Sequence, residues 1–234
     1  MTGHHRKTQL ASCALAFAAP FVAAVAEARG SRDLLWELLA CFDPGRVRNG
    51  EHCAKPRADE IDNRHPGCTS TTQVWAQSEQ YVAIRDQRMC DCPAGFVHGL
   101  ALPFARITGI EAENLPEGIW KFAWDAARTQ IHDEEQIALV VSPPAQRTQD
   151  QLHIHLVRRR EGACERFAAA DTAPVPNLDH IWETAKVRAT ERHFTNYGLL
   201  VTKCSKDAFT VLVEAEPESG NTTPEKQYTQ HDCH

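Results

Sequence analysis

An α+β domain built on an antiparallel sheet is the fold class this sequence predicts. Two observations predict it: apolar residues recur at helical spacing in some stretches, and short aliphatic runs stand between turn residues in others. A third is that the last two strand-like runs are close enough to pair as a hairpin, which makes the sheet antiparallel there. With 234 residues, 42% of them hydrophobic, the chain can bury the core of one domain or of two small ones.

The first segment reads as a leader. His4, His5, Arg6 and Lys7 are basic, and no charge occurs from Leu10 to Ala26. Ala24-Val25-Ala26 and Ala26-Glu27-Ala28 then offer small-residue patterns for a signal peptidase. Residues 1–28 are thus expected to be a secretory signal or, if uncut, an N-terminal anchor, and residues 29–234 the domain. Leu10-Ala11-Ser12-Cys13 resembles a lipoprotein box but precedes the apolar run, so it is not read as a lipidation site. No other stretch is apolar enough to meet a membrane, which excludes a polytopic membrane protein. Lys and Arg number 25 against 31 Asp and Glu, and the net charge of −6 argues against nucleic acid as a partner.

Cys13 would leave with the leader, and the remaining cysteines at 41, 53, 68, 90, 92, 164, 204 and 233 form an even set. Behind an export signal, this suggests disulfides. Cys41 and Cys53 are the best single pair, because Pro44, Gly45 and Gly50 let the segment between them fold back. Cys90-Asp91-Cys92 with His231-Asp232-Cys233-His234 has the composition of a metal cluster, but its cysteines are too closely spaced for zinc, and disulfides are the better reading.

The elements follow in order. Ser31 to Phe42 reads as a helix capped by Ser31, with Leu34, Leu35, Leu38, Leu39 and Phe42 on one face. Residues 43–72 carry loop composition. Tyr81–Ile84 and Val97–Phe104 read as strands, the second interrupted at Pro103. A helix starts around Asn114–Glu117, and Ile119, Trp120, Ala123, Trp124 and Ala127 give it a core face. Ile137–Val141 and Gln151–Val157 read as strands separated by a polar loop, and Asp179–Arg192 as a helix. Tyr197–Thr202 and Phe209–Val213 form the hairpin, and the tail after Glu216 is expected to be loose up to Cys233.

Chemistry concentrates in Gln151-Leu152-His153-Ile154-His155-Leu156. Strict alternation on a strand sends Leu152, Ile154 and Leu156 into the core and places Gln151, His153 and His155 on the other face. Three readings fit the spacing: two histidines without a role, a His-x-His metal site, or a nucleophilic histidine with an assisting neighbour. The metal reading needs a third ligand, for which His98, His132 and Asp150 are scattered candidates.

Gln151 to Val157 resembles the histidine-triad motif of nucleotide hydrolases and transferases. Its surroundings are similar to one branch, the bacterial CDP-diacylglycerol pyrophosphatases. The similar stretches are Tyr81-Val82-Ala83-Ile84-Arg85-Asp86, Leu102 to Glu111, Phe122-Ala123-Trp124, Arg147-Thr148-Gln149 and Asn196-Tyr197-Gly198-Leu199, so the resemblance spans residues 32–234. Cys41, Cys53 and Cys233 also fit it. The resemblance implies a histidine-triad-like sheet of about five strands with flanking helices. It implies cleavage of CDP-diacylglycerol to CMP and phosphatidate, with His153, the middle histidine, as nucleophile and His155 assisting. Thr148, Arg147, Gln149 and Gln151 would bind phosphate. It implies no metal or other cofactor, and action at the periplasmic face of a membrane. Arg158-Arg159-Arg160, directly after the strand, reads either as an exposed charge run or as a patch that attracts anionic headgroups. The departure is Gln151, which stands where the first histidine of the triad belongs. Another nucleotide hydrolase or transferase of that superfamily, or a non-catalytic nucleotide- or lipid-binding relative, are the alternatives. The oligomeric state stays open, a homodimer being one option.

Overall fold

A computed structural model describes residues 32–39, 73–89, 92–167, 172–216 and 223–233. Aliphatic runs give eight strands: β1 (Val74–Gln77), β2 (Tyr81–Arg85), β3 (His98–Pro103), β4 (Ile137–Val141), β5 (Ile154–Arg158), β6 (Thr172–Val175), β7 (Tyr197–Thr202) and β8 (Phe209–Ala215). They form one sheet in the order β1-β2-β3-β5-β4-β7-β8-β6, and every pairing is antiparallel. The class is therefore as expected, but the sheet has eight strands and not about five. The additional strands include both edges. β1 has a register shift between Val74 and Ala76, and β6 pairs only with β8 and carries Pro174.

The helices are α1 (Leu34–Leu39), α2 (Gly118–Gln130), α3 (Ala163–Phe167), α4 (Ile181–Glu191) and α5 (Pro224–Tyr228). The strand alternation sorts side chains onto two faces. On one, Leu139, Val141, Leu152, Ile154 and Leu156 pack against α2 and α4, whose Trp120 and Trp182 rings meet at 4.6 Å. Trp120 is fully buried and Trp124 nearly so, which makes them core residues as their helical spacing suggests.

The other face carries two separate apolar clusters. One joins Ala138, Val140, Leu200 and Leu212 to Phe167 of α3 and Tyr228 of α5. The second joins Val82, Ile84, Leu100 and Leu102 to Leu35 and Leu39 of α1. The strand register puts His155 between them, opposite Leu100 of β3 and Val140 of β4. A polar strip thus interrupts an otherwise apolar face.

From Thr223 on, the tail corrects the expectation of looseness. Thr223 caps α5 by accepting a hydrogen bond from Lys226, and Pro224 occupies its first turn, where a missing N–H costs nothing. Pro224, Glu225 and Tyr228 are buried, and Thr229 bridges to Arg159. Aromatic and backbone anchoring override the polar composition that suggested a free tail. Two disulfides join Cys92 to Cys233 and Cys164 to Cys204, as expected of an exported protein. Cys92 and Cys233 are thus bonded to each other, which removes these two cysteines as ligands of the terminal cluster weighed above. Cys41–Cys53 lies outside the described residues. No helix among the described residues is long and apolar enough to cross a membrane.

Candidate active site

Local sequence sets the geometry of the histidine pair. β5 is laddered from Ile154, and His153 stands immediately before it. Its Nδ1 lies 2.7 Å from the carbonyl oxygen of Gln151. A carbonyl only accepts, so Nδ1 carries the ring proton and Nε2 keeps its lone pair. Burial pushes the His153 pKa below 6.5, partly opposed by that carbonyl, which favours the neutral ring. The His155 ring follows on the same face, with the two ring centroids 4.9 Å apart.

Both rings line a cavity of about 390 Å³. One wall is apolar, from Leu34, Leu35 and Leu38 of α1 with Ile84 and Leu100. The polar part of the lining includes Asp86, Arg88, Thr148 and Gln149. A smaller cavity of about 190 Å³ shares Arg88, Thr148 and both histidines, and is also lined by Arg147, Glu225 and His231.

The remaining sequence-predicted residues divide. Thr148 is exposed and lines both cavities. Gln149 accepts a hydrogen bond from the Leu35 backbone N–H at 3.2 Å, which ties the loop to α1. Arg147 is buried, and its two terminal nitrogens both donate to the Glu111 carboxylate. Gly109 makes room for this pair: its φ is +56°, and a Cβ there would lie 2.0 Å from the Arg147 guanidinium. Gln151 is not among the residues lining either cavity. Its amide donates to the carbonyls of Pro103 and Ala105 at 3.1 and 2.9 Å, so it pins the loop after β3. Arg158, Arg159 and Arg160 each donate to backbone carbonyls, of Gly95, Glu135 and Thr229 respectively.

Of the scattered ligand candidates, only His98 joins the site. Its Nε2 is 3.0 Å from Nδ1 of His155. His132 is exposed, and Asp150 pairs with Arg32 at 2.6 Å. Sequence reasoning missed Glu225, whose Oε1 lies 3.2 Å from His98 Nε2, 3.2 Å from His155 Nδ1 and 3.1 Å from His231 Nδ1. Arg88 approaches the same oxygen at 3.6 Å. Burial would raise the Glu225 pKa, but His155, His231 and His98 outweigh it and hold the carboxyl well below its usual range, so it is ionised. Burial pushes His155 well below 6.5, against the attraction of Glu225. No periodicity marks Glu225 or Asp86. His231 was legible only as part of the cysteine-rich terminus.

The arrangement offers a neutral imidazole with a free ring nitrogen, a second imidazole backed by a carboxylate, and a cavity lined by both apolar and polar side chains. No curated protein matches the chain. The family model described as CDP-diacylglycerol pyrophosphatase matches residues 32–229, which contain the histidine pair, the cavity and Glu225. The chain belongs to the CDP-diacylglycerol pyrophosphatase family, hydrolases that act on a pyrophosphate bond.

Proposed function

We propose that the protein hydrolyses CDP-diacylglycerol to CMP and phosphatidate through a nucleotidyl-histidine intermediate on His153. The single observation that carries the mechanism is the bond from His153 Nδ1 to the Gln151 carbonyl, which leaves Nε2 as the nucleophilic atom. Nε2 attacks the phosphorus of the CMP half. A P–N bond forms, the bond to the bridging oxygen breaks, and phosphatidate departs with that oxygen. Water then attacks the same phosphorus, breaks the P–N bond, and releases CMP and neutral His153. His155 donates a hydrogen bond to a phosphate oxygen as charge develops there. Thr148, Arg147 and Gln149 form the phosphate-binding side, Arg147 acting as half of its ion pair with Glu111. Gln151 acts indirectly, by fixing the backbone whose carbonyl sets the His153 tautomer.

The apolar wall of Leu34, Leu35, Leu38, Ile84 and Leu100 supports a substrate with a lipid end. The reading extends to an exported enzyme with residues 1–28 as its leader, working at the periplasmic face of the membrane. Arg158–Arg160 would lend positive charge to that surface in addition to their carbonyl contacts.

The test is CMP release by the purified protein from CDP-diacylglycerol in mixed micelles, against release from water-soluble cytidine diphosphate esters. Preference for the lipid substrate is expected. Equal or better turnover of the soluble esters would assign the chain a general nucleotide hydrolysis instead, and binding without turnover would make it a non-catalytic relative.

A further inference from the structure

The cluster behind the histidine pair has a geometry that hydrogen bonding alone does not satisfy. His98 Nε2, His155 Nδ1 and Glu225 Oε1 form a triangle with sides of 3.0, 3.2 and 3.2 Å. A ring nitrogen presents either one proton or one lone pair in the ring plane. If both nitrogens are protonated toward the carboxylate, their protons oppose each other across the 3.0 Å side. If one donates to the other, the acceptor's lone pair is used and its contact with the carboxylate is repulsive. His231 Nδ1 adds a third imidazole nitrogen 3.1 Å from the same oxygen. Glu225 is 3% exposed, yet Oε1 accepts no well-aligned hydrogen bond from any of them. A buried ionised oxygen ringed by three nitrogens that do not donate well to it is costly unless a cation is shared among them.

Donors on a tetrahedral zinc ion, at about 2.0–2.1 Å from the metal, stand about 3.3 Å apart. His98 and His155 stand 3.0 Å apart, and all three imidazole nitrogens stand 3.1–3.2 Å from Glu225 Oε1, close to that spacing. We propose that His98, His155, His231 and Glu225 bind one zinc-class divalent cation. Three imidazoles with a single carboxylate suit zinc and not magnesium or calcium, which take oxygen ligands. Asp86 stands beside the site, 3.8 Å from His98 Nε2, and its carboxylate groups with His98 and His155 within 4.8 Å. Arg88 is the competing positive charge, but its side chain is 41% exposed and has solvent to withdraw into. A metal on Nδ1 of His155 places the ring proton on Nε2, the nitrogen left to donate to a phosphate oxygen. The inference goes beyond the proposed hydrolysis and is tested without it.

The experiment uses the full chain under non-reducing conditions, stripped with a chelator and titrated with Zn²⁺ against a chromophoric competitor. Co²⁺ substitution reports the coordination number. One equivalent of zinc and an intense four-coordinate cobalt spectrum are expected. Glu225→Gln and His98→Gln should each weaken binding at least about tenfold. His132→Ala, at an exposed histidine outside the cluster, should keep wild-type affinity. His153→Ala should also keep it, so loss of CMP release with zinc retained separates the two proposals. Absence of bound zinc or of the cobalt spectrum in the wild-type chain overturns the inference whether or not the cluster variants fold. So does unchanged affinity in a folded Glu225→Gln.

Discussion

In the proposed mechanism, His153 draws its reactivity from a neighbour two residues away, through the backbone. Because Gln151 O accepts a hydrogen bond from Nδ1–H, the lone pair stays on Nε2, the nitrogen proposed to attack the substrate. His153→Ala should therefore lower CMP release by at least about a thousandfold while leaving the circular dichroism spectrum and melting temperature near wild type. His155→Ala removes the proposed assisting group and should leave measurable turnover, about a hundredfold reduced or more. Single-turnover assays on both variants check the order; equal loss in both would mean that His153 has no special role. At this scale, the sequence was informative where chemistry is local. Alternation alone places His153 and His155 on one face, since side chains on a strand repeat every two residues. Glu225 was illegible for the opposite reason. It reaches His155 from a part of the chain 70 residues later, and nothing in Pro224-Glu225-Lys226 announces that a carboxylate is to be buried.

The elements that could be read from sequence are those with enough residues to show a period. β4 falls on the expected Ile137–Val141, and α2, α4, β7 and β8 lie within a few residues of expectation. β1 and β6 have four residues each, too few for alternation to stand out, and α5 is a single capped turn whose burial comes from tertiary contact. Gln151 shows the limit of extrapolating a period. It was expected beside the histidines, but it lies before the β5 ladder, in an isolated bridge to Thr108, and its amide is taken by Pro103 and Ala105. β3 yields a test of element packing. A Cβ on Gly99 would stand 1.9 Å from the Trp75 ring, so the indole of β1 lies directly on the β3 backbone. Gly99→Ala must displace that ring and should cost about 1–3 kcal/mol. Denaturant unfolding measures the loss. No loss would show that β1 tolerates displacement from the sheet. Gly99 faces away from His98 and His155, so CMP release by the folded fraction should persist.

At the scale of the whole molecule, the site depends on a tail fastened at its far end. Cys92–Cys233 spans 141 positions in sequence, and cross-links that close long loops restrict the unfolded chain most. The same bond holds the segment that carries Glu225 and His231 close to β3. Cys233→Ser should lower stability by about 3–5 kcal/mol. It should also speed hydrogen exchange at Gln230, whose N–H donates to Arg158, more than in the β4–β5 ladder. Exchange followed by mass spectrometry distinguishes this from general loosening; equal acceleration across the sheet would show that the bond braces the whole fold and not the tail.

The two outermost strands have one more consequence. An uncovered sheet edge is a template on which another chain can add a strand. At one end, the register shift between Val74 and Ala76 breaks the regular row of backbone groups that such an addition requires. At the other, Pro174 has no N–H to offer a newcomer. Both ends of the eight-stranded sheet thus resist elongation. A chain that folds while crowded beside its own copies is thereby protected at these two edges from stacking into a continuous ribbon.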